Sequence, residues 1–173
     1  VKDILMLNKD AGLALLKLHN AVLRQDSELT VHERESIAAY VSGLNDCDYC
    51  HGVHTETAKA FGVSQGLLTA LVQDVDTAPI EERLKSLFVY ARQLTLEPSK
   101  ATQAQVDAIL QAGWSEQAVH DLIQVVALFN LMNRLVEGHG ISGNQNLYEE
   151  RGGLLKVHGY NQLSKIIEDS TTS

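Results

Sequence analysis

An all-α fold, built as a compact bundle of about seven to eight helices, is what this sequence predicts, on three observations. The composition leans towards helix: only two prolines and 5% aromatic residues stand among 173, and Ala, Leu, Gln and Glu are abundant. Apolar residues recur at three- and four-residue intervals over long stretches, Val125, Leu128, Leu131 and Leu135 being one example, which is the period of a helix face. Start and stop signals punctuate those stretches: Thr30 with Glu33 and Thr102 with Gln105 have capping-box spacing, while Gly62 and Gly113 stand where helices should end. With 45% hydrophobic residues the chain can bury a substantial core, so one domain over 1–173 is expected, its core about 10–145 and an extension 146–173.

Taken in order, a first helix is expected from about Ala11 to Leu23, ending in the polar stretch Arg24 to Glu28. Thr30 and Glu33 open a second, whose face Ile37, Ala38, Val41 and Leu44 runs to the break at Gly43 to Asp46. Asn45 or Asp46 can cap a third, from about Cys47 to Phe61, with Gly62 as its stop. Ser64 starts a short helix to about Val72. Pro79 fits the first position of the next, which runs to about Thr95 and ends before Pro98. A short helix from Thr102 to about Gln111 follows. Ser115 then caps a long apolar helix to Gly138, expected at the centre of the core. Gly138 to Gly159 reads as glycine-rich loop with some order, and Gln162 to Glu168 can form a short helix. Glu33-Arg34 recurs as Glu82-Arg83, and Gly62-Val63-Ser64 as Gly113-Trp114-Ser115, at offsets of 49 and 51 residues. This suggests an internal two-fold repeat. Its second copy has Leu84, Leu96 and Ser99 opposite Glu35, Cys47 and Cys50, so only the first copy carries the Cys-x-x-Cys pair.

The net charge of −8, with only 14 Lys and Arg and no basic run, argues against a nucleic-acid partner. Val1 to Leu16 mixes Lys2, Asp3, Lys9 and Asp10 among apolar residues, resembling neither a signal peptide nor a membrane span, so a cytoplasmic setting without a membrane partner is expected. Two cysteines three residues apart would remove little entropy from the unfolded chain as a disulfide, and in a reducing compartment such a pair reads as redox or metal chemistry.

The chemistry concentrates in Glu35 and in Cys47-Asp48-Tyr49-Cys50-His51-Gly52-Val53-His54. A thiol attacks as its thiolate, and a free thiol with a pKa of about 8.5 is mostly protonated at neutral pH. A helix N-terminus stabilises negative charge, and His54, one turn beyond Cys50, can take the proton directly or through water. A carboxylate on the imidazole's other nitrogen would fix its tautomer. Glu35 is placed for this, because two helices joined by a short turn pack as antiparallel neighbours. After attack, the sulfenic acid can condense with the second cysteine to a disulfide. Cys50, nearer His54, is the expected attacking thiol, and Cys47 the more exposed one that meets a reductant; the reverse assignment stays open. Tyr49 and His51 are accessory candidates.

A Glu, a Cys-x-x-Cys twelve residues on, and a His four residues after the second Cys is a pattern that resembles the alkylhydroperoxidase D-like, peroxidase-related branch of the carboxymuconolactone decarboxylase superfamily. Glu33-Arg34-Glu35 and Phe129-Asn130-Leu131-Met132-Asn133-Arg134-Leu135 add to the likeness, which spans roughly residues 10 to 145. The resemblance implies an all-helical homo-oligomer built from dimers or trimers. It also implies peroxidase activity on hydroperoxides without metal, haem or other cofactor, and electrons from a thiol or lipoyl-type reductant. Where the best-known members have a histidine just before the second cysteine, this chain has Tyr49. The decarboxylase branch generally lacks the cysteine pair.

Three other readings compete. Cys47 to His51 is formally the C-x-x-C-H of haem attachment, though that would leave Glu35 and His54 without a role. Zinc on Cys47, Cys50 and His54 would need a fourth ligand from Glu35 or His51. Lastly, the pair belongs to a non-catalytic helical scaffold or redox sensor. The other histidines, His19 included, read as solvated or hydrogen-bonded side chains, Asn133 as structural and Trp114 as a core anchor.

Overall fold

The computed structural model describes residues 1–170, and among them are ten α-helices, one 3-10 turn and no strand. The helices are α1 (Lys2–Met6), α2 (Lys9–Arg24), α3 (Val31–Leu44), α4 (Asp48–Ala60), α5 (Gln65–Gln73), α6 (Glu82–Leu96), α7 (Gln103–Gln111), α8 (Glu116–Gly138), α9 (Gln145–His158) and α10 (Asn161–Asp169), with the 3-10 turn Pro98–Lys100 between α6 and α7. The all-helical prediction holds, but ten helices replace the expected seven to eight. The additions are α1 and, above all, α9, which occupies the stretch expected to be loop.

Side-chain caps mark the boundaries where the sequence placed them. Thr30 and Glu33 form both halves of a capping box at α3, as do Thr102 and Gln105 at α7. Ser64 and Ser115 accept the N–H groups of Leu67 and Ala118 at the starts of α5 and α8. Pro79 does not begin α6, whose N-cap is Glu81: residues 79–81 form an irregular turn in which the Ile80 N–H already bonds the Ala78 carbonyl.

Helix α9 forms despite Gly152 and Gly153, and tertiary contact explains it. A methyl at Gly152 would lie 2.7 Å from the Glu56 carbonyl carbon and 2.8 Å from the Thr57 nitrogen, so the missing side chain lets α9 lie directly on α4. Asn144 caps its start by accepting the Leu147 N–H. Propensity measured along the chain misses such a helix because its stability comes from the neighbour it covers.

The most enclosed helix is α3, every residue of which is buried from Arg34 to Ser42, with α4, α5, α6 and α8 packed around it. Helix α8, expected at the centre, shares the core but leaves Ile123 and Leu131 exposed on its outer face. Arg34 fixes the entry to α3 by donating to the carbonyls of Val22 and Gln25 at the end of α2. Trp114 is a buried anchor, its indole N–H bonded to the Arg83 carbonyl and its face covered by that guanidinium. The described part of the expected extension does not stand apart: α9 packs on α4 and α10 on α2. Residues 171–173 lie outside the described residues.

Candidate active site

The turn between α3 and α4 builds the site. Asp46 there adopts φ 53, a left-handed conformation that Asp tolerates better than most residues. It sends the chain back so that the Cys47 N–H reaches the Ser42 carbonyl at 3.0 Å. Neither Asn45 nor Asp46 caps α4, as the sequence suggested; Cys47 itself is the N-cap and makes no side-chain cap bond. The Asn45 side chain instead donates to the amide oxygens of Asn130 (3.2 Å) and Asn133 (2.9 Å) on α8. Asn133 in turn donates to the Ser42 hydroxyl at 3.0 Å. The cysteine-bearing turn is thus held to the core helix by three amide side chains.

Both cysteines are reduced and buried. Cys47 exposes no surface, whereas Cys50 exposes 4% and borders a cavity, which reverses the expectation that Cys47 is the more exposed of the two. The reason is its place at the N-cap, folded back under α3. The thiols also differ electrostatically. A hydrogen bond from the Cys47 thiol, joined by one from Asn133, outweighs burial and holds the Cys50 thiol below its ordinary pKa. That same bond to Cys50, with burial and the carboxylate of Glu137 adding to it, pushes Cys47 far up. Cys50 is therefore the sulfur set up to ionise, and Cys47 the one that keeps its proton.

Glu35 reaches His54 as the antiparallel packing of α3 and α4 predicts. Its Oε2 lies 2.6 Å from Nδ1 of His54, and both side chains are buried. With Nδ1 committed to the carboxylate, Nε2 is the nitrogen free to exchange a proton. The sequence reading missed the carboxylate's other partner: Nη1 of Arg24, at the end of α2, lies 2.6 Å from Oε1. Burial alone would raise the Glu35 pKa, but His54 and Arg24 outweigh it and leave it lowered, so a fully enclosed carboxylate stays ionised. His54 packs edge-on against Phe129, with ring centroids 4.5 Å apart. Cys50 and His54 are one helical turn apart on α4 and line the same cavity, with no direct hydrogen bond between them among the described residues.

That cavity has a volume of about 580 Å³ and is lined by residues of α1, α2, α4, α8, α9 and α10. About half of its wall is aliphatic, with Leu16, Val53, Met132, Val136 and Leu155 among its residues, and Arg151 stands exposed on it. His19 and Tyr160 line it as well, and neither was singled out in the sequence. His19 is hydrogen-bonded, as expected, its Nδ1 meeting the Leu15 carbonyl at 2.7 Å, and burial lowers its pKa from 6.5 to about 4. A signal existed: His19 falls on the buried stripe of α2 with Leu16, Val22 and Leu23. Asn133, read as structural, is a buried amide on an apolar helix face and touches the site.

The accessory candidates divide. Tyr49 lines the cavity and packs edge-on against Tyr148, with ring centroids 6.0 Å apart. His51, half-buried, does not line the cavity: its Nδ1 lies 2.8 Å from the Ala39 carbonyl, in the α3–α4 contact. Zinc would find no ligand set: Glu35 is shared between His54 and Arg24, and among the described residues no three His, Cys, Asp or Glu side chains converge.

Residues 9–78, which contain Glu35, Cys47, Cys50 and His54, match the carboxymuconolactone decarboxylase family. Over that segment the chain is similar to this family, and its fold is similar to that of solved proteins described as peroxidase-related or alkylhydroperoxidase-like. A peroxidase-related protein from Silicibacter sp. TM1040 superposes with a TM-score of 0.76 at 24% identity, over 84% of this chain and 75% of that one. A peroxidase-related protein with an alkylhydroperoxidase core, from Ralstonia eutropha JMP134, gives 0.78 at 23% identity, over 86% and 77%. The debrominase Bmp8, in complex with 2,3,4-tribromopyrrole, gives 0.68 at 15% identity, over 92% and 78%. At these identities the solved structures share the fold. No curated protein matches the sequence.

Proposed function

We propose that this protein reduces hydroperoxides, with Cys50 as attacking thiolate, Cys47 as resolving thiol, and His54 held by Glu35 as the proton relay. One observation carries the reading: the thiol with the lowered pKa borders a cavity that also holds a carboxylate-anchored imidazole. His54 takes the Cys50 proton at Nε2. The Cys50 sulfur attacks the terminal oxygen of R–O–OH; an S–O bond forms, the O–O bond breaks, sulfur loses two electrons and the alkoxide leaves. The proton held by the imidazolium returns to the alkoxide, so Cys50–SH and ROOH become Cys50–SOH and ROH. The Cys47 thiol, still protonated, then displaces hydroxide from the Cys50 sulfur; water leaves and a disulfide remains. A dithiol reductant of small-thiol or lipoyl type resets the pair by thiol–disulfide exchange. Glu35 and Arg24 do not touch substrate; they hold the relay imidazole in place.

The scheme uses no metal or other cofactor. It also suits a cytoplasmic setting, where thiols are kept reduced. No helix among the described residues is long and apolar enough to cross a membrane. Self-association as a homo-oligomer belongs to the same proposal, with the exposed Leu18, Leu96, Ile123 and Leu131 as its surface. So does the two-copy reading, in which α6 and α7 repeat α3 and α4 without their chemistry.

The test is stopped-flow oxidation of the reduced protein by an organic hydroperoxide, with intact mass of the product. Rapid loss of two hydrogens is expected, with no reaction in Cys50→Ser and arrest at sulfenic acid in Cys47→Ser. Oxidation no faster than that of a simple thiol would leave a redox sensor or a scaffold.

A further inference from the structure

The wall of the cavity facing the relay is a run of four rings. His54 lies against Phe129 (centroids 4.5 Å apart), Phe129 against His19 (6.2 Å), and His19 against Tyr160 (4.8 Å). The last ring carries a hydroxyl with an unmet demand. Tyr160 is only 6% exposed, and its Oη is buried with no hydrogen-bond partner. A buried hydroxyl without a partner is costly, and a ligand or water that completes the bond is one way to offset that cost.

The local structure fixes that hydroxyl. Gly159 takes φ 56 at the end of α9, and a side chain there would meet Asn20 and Arg24. The turn delivers the Tyr160 N–H to the Asn20 side-chain oxygen at 3.1 Å, and the Arg24 guanidinium, which also grips Glu35, stands over the tyrosine ring at 5.3 Å. One arginine thus orients both the relay and the tyrosine. Burial, with the negative charge of Glu35 and Cys50 adding to it, holds the phenol well above its ordinary pKa, so it stays protonated and keeps a proton to donate.

We propose that Tyr160 is a further catalytic residue, its hydroxyl donating a hydrogen bond to the leaving oxygen of the peroxide as the O–O bond breaks. This rests on the peroxidase reading. The Cys50 thiolate takes the terminal oxygen, the electron pair of the O–O bond goes to the other oxygen, and Tyr160 stabilises that developing alkoxide. The proton that completes the alcohol comes from the His54 imidazolium, directly or by way of the phenol, which is reprotonated in the same exchange. His19 cannot take over this role. Its Nδ1–H is occupied by the Leu15 carbonyl, and with a pKa of about 4 its Nε2 carries no proton at neutral pH, leaving it an acceptor.

The prediction is a leaving-group effect. Tyr160→Phe keeps the ring packed on His19 and Arg24 and removes only the donor. Reaction with tert-butyl hydroperoxide, whose alkoxide leaves poorly, should slow by roughly a hundredfold. Reaction with peracetic acid, whose acetate leaves unaided, should slow far less, so the ratio of the two rate constants changes. The melting temperature should stay level or rise, because a buried unpaired hydroxyl has gone. A ratio equal to that of the unchanged protein, whether both reactions slow together or neither does, would overturn the assignment while leaving the peroxidase intact. An unchanged protein that reacts with both peroxides no faster than a simple thiol would overturn the peroxidase reading, and this inference with it.

Discussion

Replacing Arg24 by Met should destabilise the protein through a residue it leaves behind. Glu35 exposes no surface and shares its two oxygens between His54 and Arg24, each at 2.6 Å. Met keeps most of the aliphatic stem of Arg24, so little packing is lost. What disappears is half the compensation of a carboxylate that cannot reach water. Removing one partner of such a buried pair costs about 3–5 kcal/mol. For a chain of this size each kcal/mol is about 2–4 °C, so a fall of roughly 6–20 °C in melting temperature is expected. Scanning calorimetry or urea unfolding of the purified variant measures it. The double variant Arg24→Met, Glu35→Gln separates charge from packing: with the stranded charge removed, it should regain more than half of the loss. A single variant within about 1 kcal/mol of the parent, well below the range for buried pairs, would refute the view that Glu35 is an ionised group held by His54 and Arg24. A double variant worse than the single would refute it equally.

Three other outcomes are expected. His19, lowered from 6.5 to about 4, stays neutral in the folded protein while the unfolded chain takes up a proton; stability falls as pH drops through that window, by about 3 kcal/mol in all. Urea unfolding of the parent against His19→Gln at a series of pH values should show this slope in the parent alone. Gly152→Ala would put a methyl 2.7 Å from the α4 backbone, and should cost about 1–3 kcal/mol and speed alkylation of Cys50 by loosening α9. Asn133→Ala removes a hydrogen bond that helps hold the Cys50 thiolate, and should raise its titration midpoint, read from thiolate absorbance, and slow peroxide attack roughly five- to tenfold.

How much of this was legible in the sequence depended on whether the signal was local. Cys50 and His54 are one turn apart on a single helix, and Glu35 lies on the helix joined to it by a short turn, so spacing alone brought the three together. The caps at Thr30, Ser64, Thr102 and Ser115 were legible for the same reason. Arg24, Asn133 and Tyr160 come from α2, α8 and the α9–α10 turn, and only tertiary packing delivers them to the site. Asn133 gave a faint sign as an amide among apolar neighbours; Arg24 gave none, being one basic residue in a helix's last turn. The burial of Cys47 was misread because position at a helix start says which backbone groups are unpaired, not what lies over them. Helix α9 was missed because Gly152 weakens a helix in isolation and permits this one in contact with α4.

The concealment of Cys47 also governs traffic. Only Cys50 faces the cavity, so whatever reduces the disulfide must come through the same opening that admits the oxidant. On the proposed chemistry the two co-substrates cannot be aboard together, and turnover alternates between an oxidised and a reduced enzyme form. Each co-substrate is then a competitor for the form that awaits the other. Plotted against peroxide concentration, the steady-state rate should pass through a maximum and decline, and more reductant should move that maximum to higher peroxide.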